Sequence, residues 1–178
     1  MGFGQPKKLA AGELKDYALR LLAGRSLSVA DLKGKLRQRA AHLPDIDDIV
    51  LQLKEYGALS DSRYAEHYAG ARAGGGSFGR QRVLSDLLRR KVAPKIAERA
   101  VGDAFAGFDE NQMIHQWLAR KYRNQDLSAL LKDPAKLASA YRRLRQAGFA
   151  SGPSIRVLKR FAAQAGQLEG LEDGEPAG

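Results

Sequence analysis

Apolar residues recur along this chain at three- and four-residue intervals, the spacing that puts side chains on one face of an α-helix. Leu14, Tyr17, Ala18, Leu21 and Leu22 share one such face and predict a helix over residues 13–24. Val29, Leu32, Leu36 and Ala40 form the stripe of a second helix. Ser28 stands at its N-cap, with Asp31 at the position that completes a capping box. Pro44 breaks the chain, and Asp45 is the expected cap of a third helix that buries Ile46, Ile49, Val50 and Leu53 and closes at Gly57 in a left-handed conformation. No stretch alternates convincingly with period two, so the predicted class is all-α.

The same plan recurs. Ser60 or Asp61 is expected to cap a helix with Tyr64, Ala65, Tyr68 and Ala71 inside. Residues 73–79 follow as a flexible glycine loop, and then a helix with Val83, Leu84, Leu87 and Leu88 on its apolar face. Pro94 suits the first turn of the next, which buries Ile96, Ala97, Ala100, Val101 and Phe105. A third round starts at Asp109, with Ile114, Trp117, Leu118 and Tyr122 on its first stripe. Asp133-Pro134 opens a helix carrying Leu137, Tyr141 and Leu144, and Ser151 or Ser154 opens the last, with Ile155, Leu158, Phe161 and Ala162.

The clearest internal copy pairs Leu53-Lys-Glu-Tyr-Gly57-Ala-Leu-Ser60 with Leu144-Arg-Gln-Ala-Gly148-Phe-Ala-Ser151. In both, a glycine follows a helix-ending leucine by four residues, and a serine starts the next helix. Repetition on this scale predicts tandem three-helix modules, about nine helices in all, each module too small to bury its own core. The expected boundaries are a flexible leader over 1–12, modules over 13–59, 60–108 and 109–164, and a disordered acidic tail over 165–178.

Charge narrows the function. The 178 residues include 30 Lys+Arg against 20 Asp+Glu, a formal net charge of +10. The tail carries Glu169, Glu172, Asp173 and Glu175 and no basic residue, so the body is more basic still. Such a body is expected to bind polyanions or acidic protein faces. The cations cluster on the middle helix of each module: Lys33, Lys35, Arg37 and Arg39; then Arg80, Arg82, Arg89, Arg90 and Lys91; then Arg142, Arg143 and Arg145. Arg120, Lys121 and Arg123 add a patch on the first helix of module three. One cluster alone is an ordinary solvated face. Recurrence at one modular position makes these residues candidates for partner or DNA binding, along one basic strip if the modules stack regularly.

Candidate chemistry is scarce. With no Cys, neither a disulfide nor a thiolate metal site can form, and His42, His67 and His115 stand too far apart to pair as ligands. Residues 74–81, G-G-G-S-F-G-R-Q, have P-loop glycine spacing, but Arg80 stands where the lysine is needed and Gln81 where Ser or Thr would hold the metal. A hinge is the better account, although the Gly79 amide and Arg80 are placed to meet a phosphate or carboxylate at a helix start. Asp45, Asp47 and Asp48 complement a helix dipole and need no metal. Tyr17, Tyr64, Tyr68, Trp117, Tyr122 and Tyr141 sit on apolar stripes and are expected in the core. No catalytic residue, metal or cofactor is expected, and no membrane span or signal peptide. The expectation is a cytoplasmic monomer that works by binding.

Several segments resemble the RecX regulators of the RecA recombinase. They are Tyr17-Ala-Leu-Arg-Leu-Leu22, Ser28-x-x-Asp31-Leu32 with Leu36-x-x-Arg39, and Leu53-Lys-Glu-Tyr-Gly57-Ala-Leu-Ser-Asp-Ser-Arg63-Tyr64-Ala65. Gly79-Arg80 running into Leu87 and Lys91 follows, and then Leu144-Arg-Gln-Ala-Gly148-Phe149 with Ile155. Their order holds over residues 17–161. The resemblance implies tandem three-helix modules in an elongated, curved body that lies in the groove of the RecA–DNA filament. It also implies restraint of strand exchange, ATP hydrolysis and co-protease activity by RecA, with weak DNA binding. The chain departs from the family at Gly74-Gly75-Gly76, over residues 124–132 and in the acidic tail. A DNA-binding protein with no recombinase partner is the alternative.

Overall fold

A computed structural model describes residues 7–162 together with Ala165 and Leu168; the acidic stretch from 169 onward and residues 1–6 lie outside the described residues. Among the described residues ten helices run in order: α1 (Ala11–Gly24), α2 (Val29–Arg39), α3 (Asp45–Glu55), α4 (Asp61–Gly75), α5 (Arg80–Arg89), α6 (Pro94–Phe105), α7 (Glu110–Lys121), α8 (Leu127–Leu130), α9 (Pro134–Gln146) and α10 (Ser151–Leu158). Among the described residues the only β pairing is an isolated bridge between Leu9 and Ala40. The class is therefore all-α. The short α8 is the element that periodicity did not predict, because a single turn holds too few residues to show a stripe. It is started by Asp126, whose carboxylate accepts from the amides of Ser128 and Ala129.

The chain divides into two compact units. The first comprises Met1–Tyr68 and Asp86–Ala100. Leu14, Leu32, Leu36, Ile46, Ile49, Val50, Leu53 and Leu59 fill one core there, all buried, with α1, α2 and α3 packed on one another. Leu9, placed by sequence in the loose leader, joins this core. Its amide donates to the Arg39 carbonyl at 2.7 Å, and its carbonyl accepts from Ala41 at 2.9 Å. Ser28 caps α2 as expected, accepting from the Asp31 amide at 3.0 Å. Asp45 does not cap α3; it occupies the first helical position after Pro44, and no side chain caps that end. Ser60, and not Asp61, caps α4, accepting from the Arg63 amide at 3.3 Å; Asp61 instead accepts from the amide of Val29 at 2.9 Å.

The second unit comprises Ala69–Ser85 and residues from Val101 onward. Helix α10 packs on α7 and α9 around Ile114, Leu118, Leu144, Phe149, Ile155 and Leu158. Trp117 meets Phe149 edge to face at 6.4 Å. Tyr141 is buried, in line with the expectation for the aromatic stripes, while Trp117 and Tyr122 are half-buried; Phe149 is buried as well, whereas Leu88, predicted on the apolar face of its helix, is exposed.

The glycine loop is not the free hinge its composition suggests. Helix α4 continues through Gly75, and only residues 76–79 separate it from α5. Gly79 donates to the Ala147 carbonyl at 2.8 Å and Gln81 to the Gly148 carbonyl at 3.1 Å. Arg120 holds the other end, reaching the Gly75 carbonyl at 2.9 Å and the Gly76 carbonyl as well. A Cβ on Gly79 would lie 2.3 Å from the Gly148 oxygen, and one on Gly148 would lie 2.3 Å from the Arg82 nitrogen. Two backbones touch here, and side chains are excluded from both.

The repeated helix ending is a left-handed C-cap; Gly76 (φ 58°), directly after α4, lies in the same region, and three further cases follow. Gly57 (φ 68°) ends α3 and Gly148 (φ 91°) ends α9, while the third is Lys91 (φ 60°), after α5. Phe149 donates to the Leu144 carbonyl at 3.1 Å and Val92 to the Leu87 carbonyl at 3.2 Å, the same Schellman bond. Ser151 does not complete the copy as a cap: α10 lacks a side-chain cap, and the Ser151 hydroxyl pairs with that of Tyr141 at 2.8 Å.

Lys91 carries the strain that glycine avoids at the other two caps. Replacing Lys91 with Gly is expected to stabilise the fold by about 0.5–1 kcal/mol, because the left-handed penalty outweighs the added freedom of the unfolded chain. Gly148→Ala is expected to cost more than about 3 kcal/mol, since backbone strain and a backbone collision combine. Thermal unfolding of the two variants checks both signs; equal midpoints would contradict the account of these caps.

Candidate partner-binding surface

The residues singled out by charge fall into both units, and many are already engaged. In the first unit, Lys33 pairs with Asp47 at 2.6 Å. That contact holds the Asp47 carboxyl below its ordinary range, through the hydrogen bond first and the cation's field second. Arg39 lies over the Tyr17 ring at 5.3 Å, and Arg37 is exposed. Arg89 pairs with Asp86. Lys91 is exposed at the strained cap.

Arg90 is engaged on several sides. Its guanidinium donates to Asp31 at 3.0 Å and lies 5.3 Å over the ring of Tyr68. Its carbonyl accepts from the buried Ser28 hydroxyl at 3.2 Å. Tyr68 donates to Asp86 at 3.1 Å and stacks on Tyr64 at 6.0 Å. Burial, as the largest effect, pushes the Tyr64 hydroxyl up from its ordinary value. One cap serine therefore joins the start of α2 to the end of α5, and Arg90 fastens the same joint by charge. Its role in the unit is structural.

Beside this joint lies a groove of about 700 Å³. Leu27, Ala30, Gly34, Tyr64 and Tyr68 line it together with Arg25, Lys35, His67 and Arg90, and with Ser26, Asp31 and Gln38. Arg25 was not selected from the sequence, because it stands alone at the end of α1 outside any charge cluster. Tyr64 and Tyr68 were read as core and serve as both core and groove lining.

In the second unit the start of α5 meets the end of α9. Arg82 reaches the Gln146 carbonyl at 3.5 Å and lies 5.9 Å from the Phe78 ring. Arg145 donates to the Phe149 carbonyl at 2.6 Å and to Gln81 at 3.3 Å. Arg80 is exposed beside Phe105, Phe108 and Met113. Arg142, Arg143, Lys121 and Arg123 are exposed, whereas Arg120 is turned onto the glycine loop. The anion site suggested at Gly79 and Arg80 does not form in the expected way: the amides of Gly79 and Gln81 are used by the carbonyls of Ala147 and Gly148. No group of His, Cys, Asp and Glu among the described residues is arranged to hold a metal, and no helix among them is long and apolar enough to cross a membrane.

His115 is electrostatically perturbed. Burial lowers its pKa first, and Arg160, whose guanidinium lies 3.1 Å from its Nε2, lowers it further; Asp109 acts weakly the other way. Arginine can only donate, so Nε2 accepts and the ring proton sits on Nδ1.

Comparison with known proteins places this geometry. The family described as RecX, second three-helix domain, matches residues 60–101. The chain is 34% identical over 112 residues to the regulatory protein RecX of Trichlorobacter lovleyi, covering 63% of this chain and 73% of that protein. It is 32% identical over 142 residues to the regulatory protein RecX of Ectopseudomonas mendocina, covering 80% of this chain and 90% of that one. The crystal structure of RecX from Lactobacillus salivarius superposes with a TM-score of 0.62 at 18% identity, over 86% of this chain and 97% of that one, which is a likeness of fold.

Because the His115 pKa is lowered from its ordinary 6.5 in the folded state, the unfolded chain binds the proton more readily. Stability is therefore expected to fall as pH drops through and below that value. An NMR titration should place the His115 midpoint below 6.5 and move it upward in Arg160→Gln; a midpoint that ignores this substitution would refute the pairing.

Proposed function

Since the chain belongs to the RecX family of regulatory proteins, we propose that it regulates the RecA recombinase by binding the RecA–DNA filament, most often as an inhibitor. The similarity to regulatory proteins named RecX over most of their length supports this reading more than any other observation. The all-helical fold and the exposed cations agree with it, since a filament of protein and DNA presents acidic surface. On this reading the protein works by occupancy, without a catalytic step, a metal or a cofactor. It acts in the cytoplasm, as a monomer on the filament.

Arg142, Arg143, Lys121 and Arg123 are the cations best placed for such contact, because they are exposed and enter no ion pair among the described residues. Arg37, Arg80 and Lys91 are exposed as well. Arg90, Arg120 and Arg145 contribute through the surfaces they hold in place. The second reading, a DNA-binding protein without a recombinase, is favoured only by the net charge of +10.

DNA-dependent ATP hydrolysis by RecA, titrated with the chain well below one copy per recombinase, separates the two. Inhibition at such ratios is the expected result. Inhibition only once the chain exceeds the DNA would support simple competition for DNA. Reversing Arg142 and Arg143 to Glu should weaken inhibition by about tenfold, roughly 1.4 kcal/mol of binding, with the melting temperature unchanged.

A further inference from the structure

The groove of the first unit has a chemistry that the filament reading does not use. Leu27, Ala30, Gly34 and Tyr64 contribute apolar lining. Two of the cations around it, Arg25 and Lys35, have no carboxylate partner among the described residues. Neighbouring cations of the same unit do: Lys33 has Asp47, Arg89 has Asp86, Arg90 has Asp31 and Arg99 has Glu66. Both of these unpaired cations border a concave surface. At about 700 Å³ the groove is within the range of about 300–1,000 Å³ that ligand sites occupy.

A polynucleotide suits this groove poorly. Single strands bind by stacking bases on open aromatic faces along a continuous cationic track. Tyr64 is 6% exposed and stacked on Tyr68, and the Tyr68 ring is covered by Arg90, so neither offers a free face. Asp31 also lines the groove, where it is paired with Arg90 and can still accept from a peptide amide.

We propose that this groove docks an acidic peptide segment of a partner protein, its carboxylates on Arg25 and Lys35 and its apolar side chains along Ala30 and Gly34, beside Tyr68. Arginine takes a carboxylate with two parallel hydrogen bonds and lysine takes one as a point charge, while the apolar lining buries the apolar residues between them. The inference does not depend on which protein carries the segment, and it stands or falls separately from the recombinase reading.

The test is selection of a displayed random peptide library on the full-length chain, with no recombinase or DNA present. Recovered peptides should be enriched in Asp and Glu interspersed with apolar residues. A synthetic copy of the strongest should bind the Arg25→Glu, Lys35→Glu double variant at least about tenfold more weakly. Both side chains lie at the surface and pair with no carboxylate, so the variant should keep its melting temperature; Arg25→Gln with Lys35→Gln provides a second, gentler measure of the same loss. Peptides with no acidic bias, or acidic peptides that bind the variants as well as the parent, would overturn the proposal. So would displacement of the bound peptide by oligothymidylate at equal concentration, which would make the groove a nucleic-acid site.

Discussion

Gly79 and Gly148 meet backbone to backbone, and the second unit is organised around that contact. The amides at the start of α5 bond the carbonyls at the end of α9, so two helix ends distant in sequence satisfy each other's orphan groups. The approach is close enough that a methyl group on either glycine would collide with main-chain atoms. What a flexible spacer would leave open is closed here by geometry. The same contact uses the amides that a phosphate at the start of α5 would need, so the structural role excludes the ligand role the sequence suggested.

The first unit is joined by side-chain chemistry. Ser28 is buried and spends its hydroxyl twice, accepting at the start of α2 and donating to the Arg90 carbonyl. Asp31, left over from the capping box, turns to the Arg90 guanidinium. A buried cap of this kind is costly to disturb, because each lost partner leaves a desolvated group unpaired. Lys91 follows immediately in a conformation that lysine disfavours, which is tolerated because the turn around it is fixed on both sides.

Much of this fold was legible in the sequence because helices declare themselves through spacing. Leu32 and Leu36, Ile46 and Leu53, and Leu137 and Leu144 are all buried on the faces that periodicity assigned them. Gly57 and Gly148 took the left-handed caps expected of a glycine four residues beyond a leucine. The third cap was hidden because Lys91 carries no such signal. The four-residue α8 had no periodicity to read. The glycine run was misread as a hinge because composition reports conformational freedom, whereas the partner that removes it, residues 147–148, lies far away in sequence. The candidate surface was legible only as a list of cations. Sequence could not show that Arg90 and Arg120 are turned inward onto partners, or that the isolated Arg25 borders a groove.

On the proposed reading the chain acts on an assembled filament, and its surplus of positive charge steers it there. The most direct test is sedimentation of RecA filaments formed on single-stranded DNA, with this chain added in the presence of excess free DNA of the same sequence. The account predicts that the chain pellets with the filament while the free DNA stays in solution. A chain that remains with the free DNA would contradict it.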